Sequence, residues 1–317
     1  MKKFFIAIVA LAAAVSCSND DIISIDRQTI GFGNAFVDNA TRIEDPSYGD
    51  DNLIDAFKVY GTVTGNTGNT INLYNGADVT RGDKQYNEAW TCSQEEYWIP
   101  SATYNFVAVA NATSVAPATG LPATISYTAD GTSDLLYTNT GVTATTNAEA
   151  VPTSGVNANK VVAFTFNHLL SKVHFEFENA SGSEKCKFEI ANIKVYGQNA
   201  AGTYDIANKK WTANGTIAET AAWNFGGAAN ITNGATVTSD KAFLFVPGNQ
   251  TLNISFTKNF YYDGTLSNTE TVTATLTNDF AANGAYVIKA TLKSGKQIDF
   301  SVGSLDGWDS DTSISIP

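Results

Sequence analysis

Along most of this chain apolar and polar residues alternate one by one. Phe57, Val59 and Val63 alternate with Lys58, Tyr60 and Thr62, and Leu252, Ile254 and Phe256 with Asn253, Ser255 and Thr257. Val272, Ala274 and Leu276 stand against Thr271, Thr273 and Thr275, and the pattern returns at Tyr286, Ile288 and Leu292 and again at Ile298, Phe300 and Val302. A period of two sends successive side chains to opposite faces, so these runs predict half-buried antiparallel strands. Val161 to Phe166 predicts another, and Thr29-Ile30-Gly31-Phe32-Gly33 opens a strand that reaches Val37. Outside the N-terminal signal no stretch has the spacing of an amphipathic helix, and no short repeat suggests a solenoid or propeller. The predicted fold class is all-β.

Between Asn111 and Lys160 the alternation loosens into Ala, Thr, Asn, Gly and Pro, broken by pieces such as Ile125-Ser126-Tyr127 and Leu135-Leu136-Tyr137. A domain boundary near residue 158 fits that loosening. The expected layout is a signal peptide over residues 1–16, a leader with the first strand over 17–48, an N-terminal β-sandwich over 49–158 and a C-terminal β-sandwich over 159–317. Each half has about the length and strand number of a Greek-key sandwich.

The chain begins Met1-Lys2-Lys3, runs apolar from Phe4 to Val15, and continues Ser16-Cys17-Ser18-Asn19-Asp20-Asp21. A basic start, a short apolar core and a small residue before a single Cys are what export, cleavage and thioether lipidation of a bacterial lipoprotein require. The apolar run is too short to span a bilayer comfortably. Cys17 is therefore expected to open the mature chain and to carry acyl chains that anchor it to a membrane.

Charge and candidate chemistry narrow the function further. Thirty-one acidic residues against 19 basic ones give a net charge of −12, or −14 once Lys2 and Lys3 are removed. Such a field repels a phosphate backbone, which argues against nucleic acid as a partner. Cys92 and Cys186 lie far apart with no CxxC or His-rich neighbourhood, so no zinc site is expected. They could pair in an oxidising compartment, but buried free thiols are the plainer reading.

His168 lies on the row of Val162, Phe164 and Phe166 and is expected in the core of the second sandwich. His174 shares a row with Lys172, Glu176 and Glu178 and is expected at the surface. No GxSxG nucleophile elbow is present, and Gly31-Phe32-Gly33 lacks the third glycine and the helix of a dinucleotide loop. Asp306-Gly307-Trp308-Asp309-Ser310-Asp311 gathers carboxylates without the spacing of an EF-hand calcium loop, and Arg81-Gly82-Asp83 is a tripeptide that turn composition produces by chance. Trp90, Tyr97, Trp98 and Tyr104 fall close together as in a carbohydrate platform, although their placement favours core packing. No catalytic set, metal or cofactor is expected, and the chain reads as non-enzymatic.

Four stretches read together resemble the fimbrillin family, the type V pilin-like lipoproteins of Bacteroidales bacteria. They are Tyr97-Trp98-Ile99-Pro100 with Tyr104 to Ala110, Phe164 to Phe175, Phe243-Leu244-Phe245-Val246-Pro247, and Gly284-Ala285-Tyr286 leading to Ile298-Asp299-Phe300 and Trp308. Their order and spacing behind a lipobox span nearly the whole mature chain. The resemblance implies two transthyretin-like β-sandwiches, display as an outer-membrane lipoprotein at the cell surface, and assembly with other subunits into a fimbria. It also implies that an Arg-specific or trypsin-like protease removes the lipidated leader with its first strand, and that a neighbour's strand fills the emptied groove by β-strand addition. Only Arg27, Arg42 and Arg81 offer cut sites. Asn39-Ala40-Thr41-Arg42 looks most like the family's processing position, with Arg27 as the reserve. Asp20-Asp21 beside Cys17 resembles the acidic tag of surface display. Stalk pilin, tip adhesin and anchor are not separated by the resemblance, and the reading from another class is a monomeric surface lipoprotein that binds glycan or host protein.

Overall fold

A computed structural model of the chain describes residues 28–37, 54–82, 90–117, 120–138, 141–293 and 298–305. Among these residues the fold is built almost wholly of strands, with one 3-10 turn at Glu219–Ala221. The principal strands are β1 (Gly31–Val37), β2 (Ala56–Thr64), β3 (Thr70–Arg81), β4 (Thr103–Ala110), β5 (Val161–His168), β6 (Ser171–Asn179), β7 (Cys186–Tyr196), β8 (Gly248–Tyr262), β9 (Thr265–Phe280), β10 (Gly284–Leu292) and β11 (Ile298–Leu305).

The first sheet runs β1, β5, the short strand Leu136–Tyr137, β4, β2, β3 and the short strand Trp90–Cys92. Strand Val142–Thr146 extends it beside the first half of β4. The sheet curls over an aromatic core that includes Phe57, Tyr74, Phe106, Phe164 and Phe166 until its two ends approach at β1. There the Trp90 ring comes within 3.5 Å of the place a Cβ on Gly33 would occupy. Curling removes most of the open edge that a flat sheet of this size would leave to solvent.

A second unit is a sandwich. One sheet orders Thr236–Thr238, β6, β10 and β11, with Phe243–Phe245 also on β6; the other orders Trp223–Asn224, β7, β8 and β9, with Ala228–Thr232 also on β7. Between them pack Phe175, Phe177, Phe188, Ile254, Phe256 and Ile288, among others. The alternation read from the sequence appears directly here: Leu252, Ile254 and Phe256 are buried, whereas Asn253, Ser255 and Thr257 are half-exposed.

A four-stranded sheet, Lys210–Thr216, Asn199–Asp205, Pro122–Thr128 and Ser114–Pro117, ties the two units together. Asn199–Asp205 comes from the second half of the chain and pairs antiparallel with Pro122–Thr128 from the first. A third apolar cluster of Tyr60, Val107, Val109, Ile125, Leu170 and Val246, with others, fills the space it covers. This explains a departure from simple alternation in β2, whose residues are buried without interruption from Val59 to Val63. One face of that strand meets the aromatic core and the other meets the third cluster, so the sheet there is covered on both sides.

Strand β5 pairs within the first sheet, with β1 and with Leu136–Tyr137, so the chain passes to the second sandwich at Leu169-Leu170. His168, expected inside the second sandwich, instead ends a strand of the first sheet. His174, expected at the surface, has a side chain only 2% exposed, and Lys172 beside it is buried too. Strand β6 is central in its sheet, and its first half, Ser171 to Phe175, is buried on both faces. The period of two assigns a residue to a face; it does not say whether that face is covered.

Burial of tyrosines makes the fold sensitive to alkali. Desolvation pushes the hydroxyl of Tyr104 up to about 12 even though it accepts a hydrogen bond from the Ile99 amide at 2.6 Å. Desolvation, helped by Tyr204, does the same to Tyr137, up to about 12. A group that ionises at about 10 when unfolded and about 12 when folded stabilises the native state fully below pH ~10, and that stability is lost as the pH rises through ~12. Denaturant midpoints should therefore fall steeply between these limits, with the tyrosinate absorbance of the buried tyrosines appearing in step with unfolding. Full tyrosinate absorbance near pH ~10 in a protein that is still folded would contradict this reading.

Candidate functional site

The feature that stands apart from ordinary sheet packing is the segment from Gln28 to Val37. It precedes the rest of the first sheet in sequence, yet it lies inside the curl. Its β1 portion pairs parallel with β5, matching Gly31 with Val161, Phe32 with Val162 and Gly33 with Ala163, then Phe36 with Thr165 after a register shift. On its other side the Ile30 amide donates to the Glu96 carbonyl at 2.8 Å, and the Trp98 amide donates to the Gln28 carbonyl at 3.0 Å. A bridge between Thr29 and Tyr97 completes that contact. The segment is thus held between two stretches of backbone.

Its side chains explain why it is held. Phe32 is 4% exposed and Ile30 is 5% exposed. The Phe32 ring meets Tyr74 edge-on at 5.4 Å and Phe106 edge-on at 5.8 Å, and stacks on Phe164 at 6.0 Å. Aromatic pairs in these geometries add to the stabilisation that burial alone provides. The two glycines around Phe32 have a packing role. A Cβ on Gly31 would lie 3.0 Å from a methyl of Val161, and one on Gly33 would lie 3.3 Å from its other methyl. Only the bare backbone lets β1 settle this closely on β5.

Strand β1 is a plug in the curled sheet. Without it, Tyr74, Phe106 and Phe164 would line an apolar slot, and β5 and the Glu96–Trp98 stretch would flank that slot with unpaired backbone groups.

The residues singled out by sequence fall as follows. Cys17, Arg27 and Arg42, the carboxylate turn from Asp306 to Asp311 and Trp308 lie outside the described residues. Arg81 has a side chain only 2% exposed and sits 3.2 Å from Asp55, so it is not displayed for recognition. Of the aromatic group, Trp98 and Tyr104 are buried with rings 4.7 Å apart and Trp90 packs on the core, leaving Tyr97 as the exposed member. Cys92 in the first sheet and Cys186 at the start of β7 are unbridged thiols. No group of three or more His, Cys, Asp or Glu that could hold a metal occurs among the described residues.

One pair was not anticipated. His168 Nδ1 is hydrogen-bonded to Asp134 Oδ2, with the two side chains 2% and 4% exposed. Asp134 lies in a polar turn whose sequence gives no sign of burial, and only the fold brings it to the end of β5. The same turn accepts a hydrogen bond from the Leu244 amide at Gly131 and one from the Leu169 amide at Leu135. It is therefore a junction among the first sheet, the linking sheet and the second sandwich.

One solved structure supports this architecture, and a second is similar only at a distance. A fimbrial protein from Bacteroides vulgatus superimposes with a TM-score of 0.58 at 16% identity, covering 88% of this chain and 99% of that one. A fimbrial assembly protein from Parabacteroides distasonis is more distant, with a TM-score of 0.41 at 13% identity and coverage of 87% and 97%. No curated protein matches the sequence. The fimbrillin-like family model matches residues 41–308, from just before β2 to just beyond β11, and the chain belongs to that family of structural, non-enzymatic proteins.

Proposed function

We propose that the protein is a surface-displayed fimbrial subunit whose leader strand β1 is a removable plug. In this reading Cys17 carries the lipid that holds the precursor on the outer membrane, and cleavage after Arg42 releases the leader together with β1. A strand from another fimbrial subunit then enters the slot and restores both the backbone ladder and the apolar burial. Arg27 is the reserve cut site, but cleavage there would leave β1 in place. The curled first sheet and the second sandwich are read as the two sandwich-like units of the subunit.

The observation that carries the reading is the position of β1. It is joined to β5 and to the Glu96–Trp98 stretch by backbone contacts and to the core by Phe32, and the linker bearing Arg42 follows it directly in sequence. The aromatic group that would have served a glycan platform is largely consumed in the core, which removes the main support for a monomeric glycan binder.

The test is proteolysis of the purified full-length precursor. Intact protein should sediment as a species free of strand-exchanged polymer. Trypsin treatment should remove the leader and generate SDS-resistant oligomers, and Arg42→Ala should abolish them. Polymer formation by Arg42→Ala at the rate of the unaltered chain would sink the mechanism. So would trimmed protein that never polymerises.

A further inference from the structure

Among the described residues the second sandwich carries a long open edge with a definite symmetry. Strands β8 and β9 form a hairpin of 15 and 16 residues, closed by Asp263-Gly264, both at positive φ, the backbone a two-residue type I′ turn requires. Among the described residues β9 pairs only with β8. Its outward row is Thr269, Thr271, Thr273, Thr275 and Thr277, all exposed, and its inward row includes Val272, Ala274 and Leu276, which touch the core yet remain half-exposed. Edge strands of this length are ordinarily guarded by Lys, Pro or a bulge. None of these occurs in β9 from Asn268 to Phe280, where the ladder to β8 is regular.

The sequence of β9 also reads nearly the same from both ends about Thr273. Thr271 mirrors Thr275, Val272 mirrors Ala274, Thr269 mirrors Thr277, Asn268 mirrors Asn278, and Leu266 mirrors Phe280. The charged members, Glu270 and Asp279, would face Leu276 and Ser267, so no like charges meet. Glu270 is turned to Lys258 on β8 at 2.5 Å.

We propose that β9 is a lateral interface that pairs antiparallel with β9 of a second copy about a two-fold axis at Thr273. A strand that is its own mirror satisfies the isologous rule of two-fold contacts, in which each residue meets its counterpart's partner. Threonine would face threonine on the outward side, a favourable cross-strand pair. On the inward side valine and alanine would cover each other's half-exposed surface, and the backbone groups of both edges would be joined in one continuous sheet. The contact is separate from the β1 slot and needs no proteolysis, so it would join subunits side by side.

The experiment uses purified full-length chain kept free of protease, so that strand exchange at the β1 slot does not contribute. Under mild oxidation Thr273→Cys should form a disulfide-linked dimer well above the background of the unaltered chain. Thr271→Cys alone should not, but mixing it with Thr275→Cys should produce a dimer. In sedimentation, Thr273→Lys should shift the protein from dimer to monomer, whereas Thr212→Lys, at an exposed position of the strand Lys210–Thr216, should leave the dimer intact. A monomeric unaltered chain, cross-linking that ignores this register, or a dimer indifferent to Thr273→Lys would each overturn the proposal.

Discussion

Replacing Phe32 with alanine is expected to lower the unfolding free energy by about 3–5 kcal/mol, the usual cost of deleting a large aromatic from a packed core. The ring is 4% exposed and touches Tyr74, Phe106 and Phe164, so its removal leaves a cavity walled by rigid rings that cannot all move inward. Urea unfolding of the precursor measures the loss. Thr29→Ala, at an exposed neighbouring position, is the control and should cost less than ~0.5 kcal/mol. If the two variants unfold alike, Phe32 does not fill the core. The same experiment bears on the proposed strand exchange, because Phe32 and Ile30 are the buried side chains that hold the leader segment in the first sheet. The Phe32→Ala precursor should therefore yield its slot more readily to an added peptide with the leader sequence than the unaltered precursor does.

Asp134→Ala is expected to be comparably damaging, at about 3–5 kcal/mol, because it leaves the His168 imidazole buried without the carboxylate that faces it. His168→Leu alone should cost a similar amount by removing the imidazole that the buried Asp134 carboxylate faces. The double variant Asp134→Leu with His168→Leu should recover much of the loss, since two apolar side chains need no partners. A thermodynamic cycle on denaturant unfolding isolates the coupling. Single variants that each cost under ~1 kcal/mol would show that the pair does not hold the junction. The expected damage extends beyond one contact, because the turn bearing Asp134 is hydrogen-bonded both to Leu169, where the chain leaves the first sheet, and through Gly131 to Leu244 in the second sandwich. This buried turn is a direct tie between the first sheet and the second sandwich.

Much of the fold was legible from residue order alone. Alternation placed β8, β9, β10 and β11 correctly and identified their inward rows, because a strand with one covered face must repeat every second residue. It also identified β1 as a strand and His168 as an inward residue. Local sequence could not show which strands would be covered twice. The buried faces of His174 and Lys172 in β6, and the unbroken burial from Val59 to Val63 in β2, arise from what lies across each sheet.

The assignment of β5 to the first sheet had the same limit. Val161 to His168 reads equally well as the opening strand of a new unit, and only its pairing with β1 and with Leu136–Tyr137 puts it in the earlier one. The Asp134–His168 pair was invisible because its members are remote in sequence and Asp134 occupies a polar turn. The sequence rules out a dinucleotide loop for the glycines beside Phe32 but gives them no role, and their packing role emerges with the methyls of Val161 against them. By itself the sequence determined that this protein is all-β, acidic and of fimbrillin kind, since periodicity, charge and local motifs are properties of neighbouring residues. The tertiary structure decided that β1 plugs the first sheet, that a linking sheet binds the two units, and that β9 is an edge strand among the described residues, because backbone pairing and coverage of a face depend on residues the chain brings together from afar.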